Sequence, residues 1–154
     1  MELSDLIRPD AVLPSLKASS KKHVFGDIAN RAADLTGLDH RMICEKLIAR
    51  EHLGSTAMGN GVAIPHARVE GLDRIIGVFA RLDAPIEFDA ADAKGVDLMV
   101  ALLAPEDAGA DHLRALAKVS RFLRDADLRT KLRQTQTAEA LYALMTEPSS
   151  ARAA

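Results

Sequence analysis

The chain has no tryptophan and only 3% aromatic residues, so it lacks the stacking platforms that single-stranded nucleic acid requires. It carries no excess of one charge. The formal balance of −2, with the two signs interspersed, leaves no electrostatic footprint for DNA, RNA or an anionic membrane surface. A single cysteine, Cys44, excludes an internal disulfide and fits a reducing compartment. No apolar run approaches the ~18–20 residues of a membrane span. The first residues, Met1-Glu2-Leu3-Ser4-Asp5, show neither the basic nor the apolar part of a signal peptide. These absences predict a soluble, cytoplasmic chain with no nucleic-acid partner and no direct membrane insertion.

What is present suits one α/β domain. At 154 residues the chain can bury roughly 68–70% of its surface without staples. We expect a single domain over residues 1–147 and a flexible small-residue tail over 148–154. Leu3 to Leu16, interrupted by Pro9 and Pro14, reads as a turn of helix and an edge strand. Helical spacing follows from Ser20 to Leu35, with Ser19 or Ser20 as the cap and Gly37 as the stop. A second helix opens after Asp39 and ends near His52-Leu53-Gly54.

The pattern then shortens to strand-like runs: Ser55 to Met58 and Val62 to Ile64 around a Gly-Asn-Gly turn, then Arg74 to Leu82. Pro85 to Phe88 reads as a short edge strand. The nearly unbroken apolar run from Val96 to Ala104 predicts a central strand covered on both faces. The last third is helical, with Leu113, Leu116, Ala117, Ser120 and Leu123 expected on one buried face. Further helices lie around Leu128 and Leu132, and after Thr137. The expected architecture is a layered sandwich: a mixed central sheet of about five strands, flanked by helices on both faces.

Of five histidines, His23, His40 and His52 fall in first or last turns of predicted helices and read as ordinary surface residues. His40 and Cys44 have a metal-compatible spacing, but the chain lacks HExxH, CxxC or a second His/Cys cluster to complete a ligand set. Cys44 is expected to be buried as a small apolar residue. His66 differs. Pro65 fixes its own φ and biases Ile64 toward extended geometry, so a strand is expected to end there and present the imidazole at a rigid turn. Gly59 and Gly61 permit close backbone approach, while Arg50 and Arg68 offer guanidinium groups suited to phosphate or carboxylate.

The stretch from Arg50-Glu51 through Gly54-Ser55-Thr56-Ala57-Met58-Gly59-Asn60-Gly61-Val62-Ala63-Ile64-Pro65-His66 resembles the phosphorylation-site motif of the mannitol/fructose class (type 2) of enzyme IIA. These are phosphocarriers of the bacterial phosphoenolpyruvate-dependent phosphotransferase system. Within the class, the chain is most similar to the nitrogen-regulatory branch. The likeness continues through Ile75-Ile76-Gly77-Val78-Phe79, Pro85 to Ala90, Val96-Asp97-Leu98, Ala101 to Pro105 and Asp111-His112-Leu113.

The resemblance implies that His66 is the phosphoacceptor, through its Nε2 (tele) nitrogen. It also implies that Arg50 steadies the phosphoryl group and that His112 is a second site histidine. Ser55 and Asn60 are expected to offer supporting hydrogen bonds. Family members often carry Gly-Lys after the histidine; here Ala67-Arg68 retains the positive charge. The implied donor is a small HPr-like (NPr-type) phosphohistidine protein, with no cofactor, no metal and no ATP-binding glycine loop. The implied outputs are protein partners such as sensor kinases or transporters, in nitrogen, potassium or carbon regulation. The alternative is the IIA component of a sugar permease that passes phosphate to a IIB domain.

Overall fold

The computed structural model describes residues 1–147, so the tail expected over 148–154 lies outside the described residues. The chain runs through α1 (Leu3–Leu6), β1 (Ile7–Leu16), α2 (Lys21–Thr36) and α3 (His40–His52). It then forms β2 (Ala57–Gly59), β3 (Val62–Ala63), β4 (His66–Arg68), β5 (Ile76–Ile86) and β6 (Val96–Ala104). It closes with α4 (Ala110–Leu123), α5 (Ala126–Gln134) and α6 (Ala138–Thr146). The helix starts follow from local hydrogen bonding. Ser20, Asp39, Asp125 and Thr137 each accept a backbone N–H from the first turn of the helix they precede. Gly37 ends α2 in the left-handed region at φ 77°, which costs glycine nothing.

β6 is the spine. Every residue in it except Asp97 is buried, as a strand covered on both faces requires. On one edge it pairs antiparallel with β5, from Ile76 opposite Leu103 to Arg81 opposite Leu98. On the other edge it pairs parallel with two short strands in succession. Val62 and Ala63 of β3 lie opposite Leu98 and Met99, and His66 of β4 lies opposite Leu102. β1 adds parallel to β5 as an outer strand, and β2 adds antiparallel to β3. The sheet is therefore mixed, with six strands in place of about five. α2 and α3 pack on each other and against β5 and β4, while α4 packs on β6 and α6 on β1.

Four expectations change. Pro85 to Phe88 is no separate edge strand: β5 continues through an irregularity to Ile86, which pairs with Val96. Pro85 lies beyond the last pair with β1, Leu16–Leu82, so its missing N–H removes no bond to that strand. His66 opens a strand; it does not end one. On α4 the buried face is His112, Ala115, Val119, Phe122 and Leu123, about one residue rotated from the expected stripe, and Leu113 is left outside. Leucines and alanines surround this helix closely enough that periodicity fits either register. Cys44, expected to be buried, is half-buried; desolvation raises its thiol pKa.

At the β2–β3 turn, Asn60 and Gly61 adopt φ of 57° and 79°. Arg133 lies over this turn, its Nε 3.0 Å from Asp97 Oδ2 and its Nη2 donating to the Asn60 carbonyl at 2.6 Å. A Cβ on Gly61 would overlap that guanidinium. Gly61→Ala is therefore expected to destabilise the fold by about 1–3 kcal/mol. Gly26→Ala, in the interior of α2 with open space around the new methyl, is expected to stabilise by about 0.5–1 kcal/mol. Urea unfolding of the two variants checks the contrast; equal effects would contradict it.

Candidate active site

The break between β3 and β4 creates the site. Pro65 has no N–H to give, and the ladder resumes only where Leu102 N–H donates to the Pro65 carbonyl at 2.9 Å. His66 then enters β4 half-buried, at the C-terminal end of β6. Its Nδ1 lies 2.9 Å from the Ile64 carbonyl, and its Nε2 lies 3.3 Å from the Nε of Arg50. A carbonyl only accepts and a guanidinium only donates. Both partners therefore require the same tautomer, with the proton on Nδ1 and the lone pair on Nε2.

Arg50 occupies the last turn of α3, where its Nη1 donates to the Gly54 carbonyl at 2.9 Å. The guanidinium thus bridges its own helix end and the imidazole. His112 arrives from the other side, in the first turn of α4. Its ring centroid is 5.6 Å from that of His66, at 73° in an edge-on contact. His112 is 7% exposed, and its Nε2 has no hydrogen-bond partner. A buried, unsatisfied nitrogen beside a second imidazole is costly unless a ligand group completes it. Gly109, which precedes α4, contributes no capping side chain to the N–H groups of that first turn.

Electrostatics keep both rings neutral. Burial pushes the His66 pKa down, the Arg50 charge adds to this, and the Ile64 hydrogen bond and the Glu51 charge oppose it. Burial also lowers His112, assisted by His66 and Arg68. A neutral imidazole with a directed lone pair is a nucleophile, and the adjacent guanidinium matches a phosphoryl group.

The remaining expected residues divide. Ser55 stays in the neighbouring segment, but its hydroxyl donates to the Phe88 carbonyl at 2.7 Å and accepts from Ala57 N–H. Its hydrogen is committed to holding backbone. Asn60 is not brought to the site. The adjoining Gly61 carbonyl meets Asp97 and Leu98 at the start of β6, whereas His66 faces Leu102. At ~3.3 Å per residue the separation is roughly 13–17 Å, too far for Asn60 to offer the expected hydrogen bond to a group on His66. Arg68 is exposed, with its Nη1 3.5 Å from the Glu106 carbonyl.

One buried polar residue beside the site was missed. Glu51 is 9% exposed, and its carboxylate accepts from Thr56 N–H (3.0 Å), Thr56 Oγ1 (2.6 Å) and Lys21 Nζ (3.0 Å). It ties the end of α3 to the segment entering β2, next to Arg50. A signal was available: Glu51 continues the buried series Ile43, Leu47 at four-residue spacing. Among the described residues, no group of three or more His, Cys, Asp or Glu is placed to hold a metal ion.

The family model described as "Phosphoenolpyruvate-dependent sugar phosphotransferase system, EIIA 2" matches residues 5–147. The chain belongs to this EIIA family. It is 51% identical over 148 residues to the "Nitrogen regulatory protein" of Bradyrhizobium diazoefficiens, covering 96% of this chain and 97% of that one. It is 43% identical to the "Nitrogen regulatory protein" of Pseudomonas aeruginosa, covering 96% of each. The crystal structure of nitrogen regulatory protein IIA-Ntr from Neisseria meningitidis superposes with a TM-score of 0.88 at 35% identity, covering 94% of this chain and 99% of that one. The EIIA fold and a phosphotransferase component therefore stand together, and the resemblance read from the motif holds over nearly the whole chain.

The lowered pKa values of this EIIA site have a defined sign. Above the ordinary imidazole value of about 6.5, both folded and unfolded forms are neutral. As pH falls through that value the unfolded chain binds protons first, so stability decreases on acidification. NMR titration of the ring protons is expected to place both His66 and His112 midpoints below about 6.5. A midpoint above that value for either ring would contradict the site electrostatics.

Proposed function

We propose that residues 1–147 form a single regulatory phosphocarrier domain, acting in the cytoplasm. It accepts a phosphoryl group on Nε2 of His66 from an HPr-like phosphohistidine protein. The observation that carries this reading is the paired hydrogen bonding of His66, which leaves one lone pair and aims it at Arg50. The whole-length relatives named as nitrogen regulatory proteins support the regulatory role over sugar transport. Among the described residues no helix is long and apolar enough to cross a membrane.

Phosphoryl transfer asks the protein for in-line positioning and charge stabilisation. The Nε2 lone pair attacks phosphorus as the donor's N–P bond breaks, so one N–P bond replaces another. Arg50 turns its N–H groups from Nε2 to the phosphoryl oxygens. Positive charge that develops on the ring is stabilised through Nδ1–H on the Ile64 carbonyl, and the ring need not shed a proton. The Nε2 of His112 gains a phosphoryl oxygen as its missing partner. The first-turn N–H groups of α4 add favourable dipoles. A phosphoryl group brings roughly two negative charges to this surface, enough to change which regulatory partners, such as sensor kinases or transporters, bind there.

Incubation with phosphoenolpyruvate, enzyme I and an HPr-type carrier, followed by intact-mass measurement, tests the reading. Wild type is expected to gain one acid-labile phosphoryl group and His66→Ala none. Arg50→Ala is expected to slow the gain by about 10²–10³-fold, the loss typical of one charge-stabilising donor. Absence of the gain on wild type sinks the proposal, and label draining into sugar phosphate through a IIB partner would favour the permease role.

A further inference from the structure

Lys21 opens α2 against the electrostatics of a helix start. The N–H groups there make positive charge unfavourable, and the first turn of α2 holds no acidic residue to offset it. The Lys21 side chain is nevertheless only 22% exposed. What holds it lies outside α2. Its Nζ donates to Glu51 Oε2 at 3.0 Å and to Asp89 Oδ2 at 3.3 Å, and it sits 4.7 Å from the centroid of the Phe88 ring. Three segments distant in sequence therefore meet on one ammonium group: the start of α2, the end of α3 and the stretch between β5 and β6.

The segment they enclose is the one that restrains Arg50. Residues 51–56 form a short loop closed by the Glu51 carboxylate on Thr56 N–H (3.0 Å) and Thr56 Oγ1 (2.6 Å). Gly54 lies inside that loop. Its N–H donates to the Glu51 carbonyl at 3.2 Å, and its own carbonyl accepts from Arg50 Nη1 at 2.9 Å. Ser55 follows and donates to the Phe88 carbonyl at 2.7 Å. Lys21 thus grips both walls of the loop, Glu51 directly and Phe88 through its ring. The two ion pairs are unequal: the Glu51 side chain is buried, whereas that of Asp89 is 80% exposed and screened by solvent. Without the ammonium group, a buried carboxylate would keep only Thr56 as its partner.

We propose that Lys21 is a positioning residue for phosphoryl transfer: by fixing Glu51 it fixes the 51–56 loop, the Gly54 carbonyl and, through that carbonyl, the guanidinium of Arg50. This rests on the reading of Arg50 as the group that steadies the phosphoryl. Among the described residues the Arg50 side chain has two hydrogen-bond partners, the Gly54 carbonyl and His66 Nε2. In transfer it gives up the second to the phosphoryl oxygens. The Gly54 carbonyl alone then holds the guanidinium in place, so the loop must be rigid at that moment. Lys21 acts through Glu51 and takes no part in the chemistry itself.

The test is a double-mutant cycle. The rate of His66 phosphorylation at saturating HPr-type carrier is measured for wild type, Lys21→Met, Arg50→Ala and the combined variant. Lys21→Met keeps the aliphatic stem and removes the charge. It is expected to slow transfer about ten- to a hundredfold, the scale of loss that a misplacement of ~1 Å at the reacting centre produces. In the Arg50→Ala background the same change is expected to have no further effect, because the residue it positions is gone. Asp89→Asn removes only the exposed partner and is expected to transfer at the wild-type rate. Thermal midpoints read folding separately. If Lys21→Met does not fold, Lys21→Met/Glu51→Gln, which leaves no lone buried charge, takes its place in the cycle with the same expectation. A wild-type rate on loss of the Lys21 charge overturns the proposal. So does equal slowing in both backgrounds, which would mean that Lys21 acts independently of Arg50. If Arg50→Ala itself transfers at the wild-type rate, the reading of Arg50 fails and takes the proposal with it.

Discussion

The hydrogen bond from His66 Nδ1 to the Ile64 carbonyl is the interaction on which the site depends. It exists because the edge of β6 cannot be paired continuously. β3 fills that edge as far as Ala63, Pro65 has no N–H to offer, and pairing resumes at His66 opposite Leu102. The interruption leaves the Ile64 carbonyl free to accept from the ring two residues on. A proline that would be a defect in a continuous central ladder instead sets the tautomer of the histidine that follows it. The sheet supplies rigidity, and the gap supplies chemistry.

Around that bond the scaffold holds charge in place with few parts. Arg50 is restrained by the Gly54 carbonyl at the end of its own helix, and the neighbouring Glu51 fastens that helix end to Thr56 and Lys21. Removing one partner of such a buried carboxylate costs more than the pair contributes, so the network constrains geometry more than it stabilises the fold. Burial keeps both imidazoles neutral without any carboxylate hydrogen-bonded to them. The site thus brings together one directed lone pair, one guanidinium, and one buried imidazole nitrogen without a hydrogen-bond partner.

Much of this was legible in the chain. The caps Ser20 and Asp39, the stop at Gly37 and the buried run of β6 are local signals, and local physics decided them. The motif also identified His66, Arg50 and His112, which the fold brings together. The failures were of register and reach. Leu113 and His112 are adjacent on a helix with apolar residues on several sides, so periodicity alone could not say which one faces β6. Asn60 lies only six residues before His66, yet an extended chain carries that interval to the far end of the neighbouring strand. Ser55 kept its neighbourhood, but its hydroxyl was claimed by a backbone carbonyl from a distant segment. Glu51 was passed over because a carboxylate is rarely buried, although its spacing from Ile43 and Leu47 placed it on the inner face.

The central claim is that Nε2 of His66 is the nucleophile because Nδ1 carries the proton. Long-range proton–nitrogen correlation spectra of the imidazole, recorded before and after phosphorylation, test it most directly. The account predicts the Nδ1–H tautomer in the free protein and phosphorus coupling at Nε2 in the phosphorylated one. A free protein protonated at Nε2, or a phosphoryl group attached to Nδ1, would contradict it.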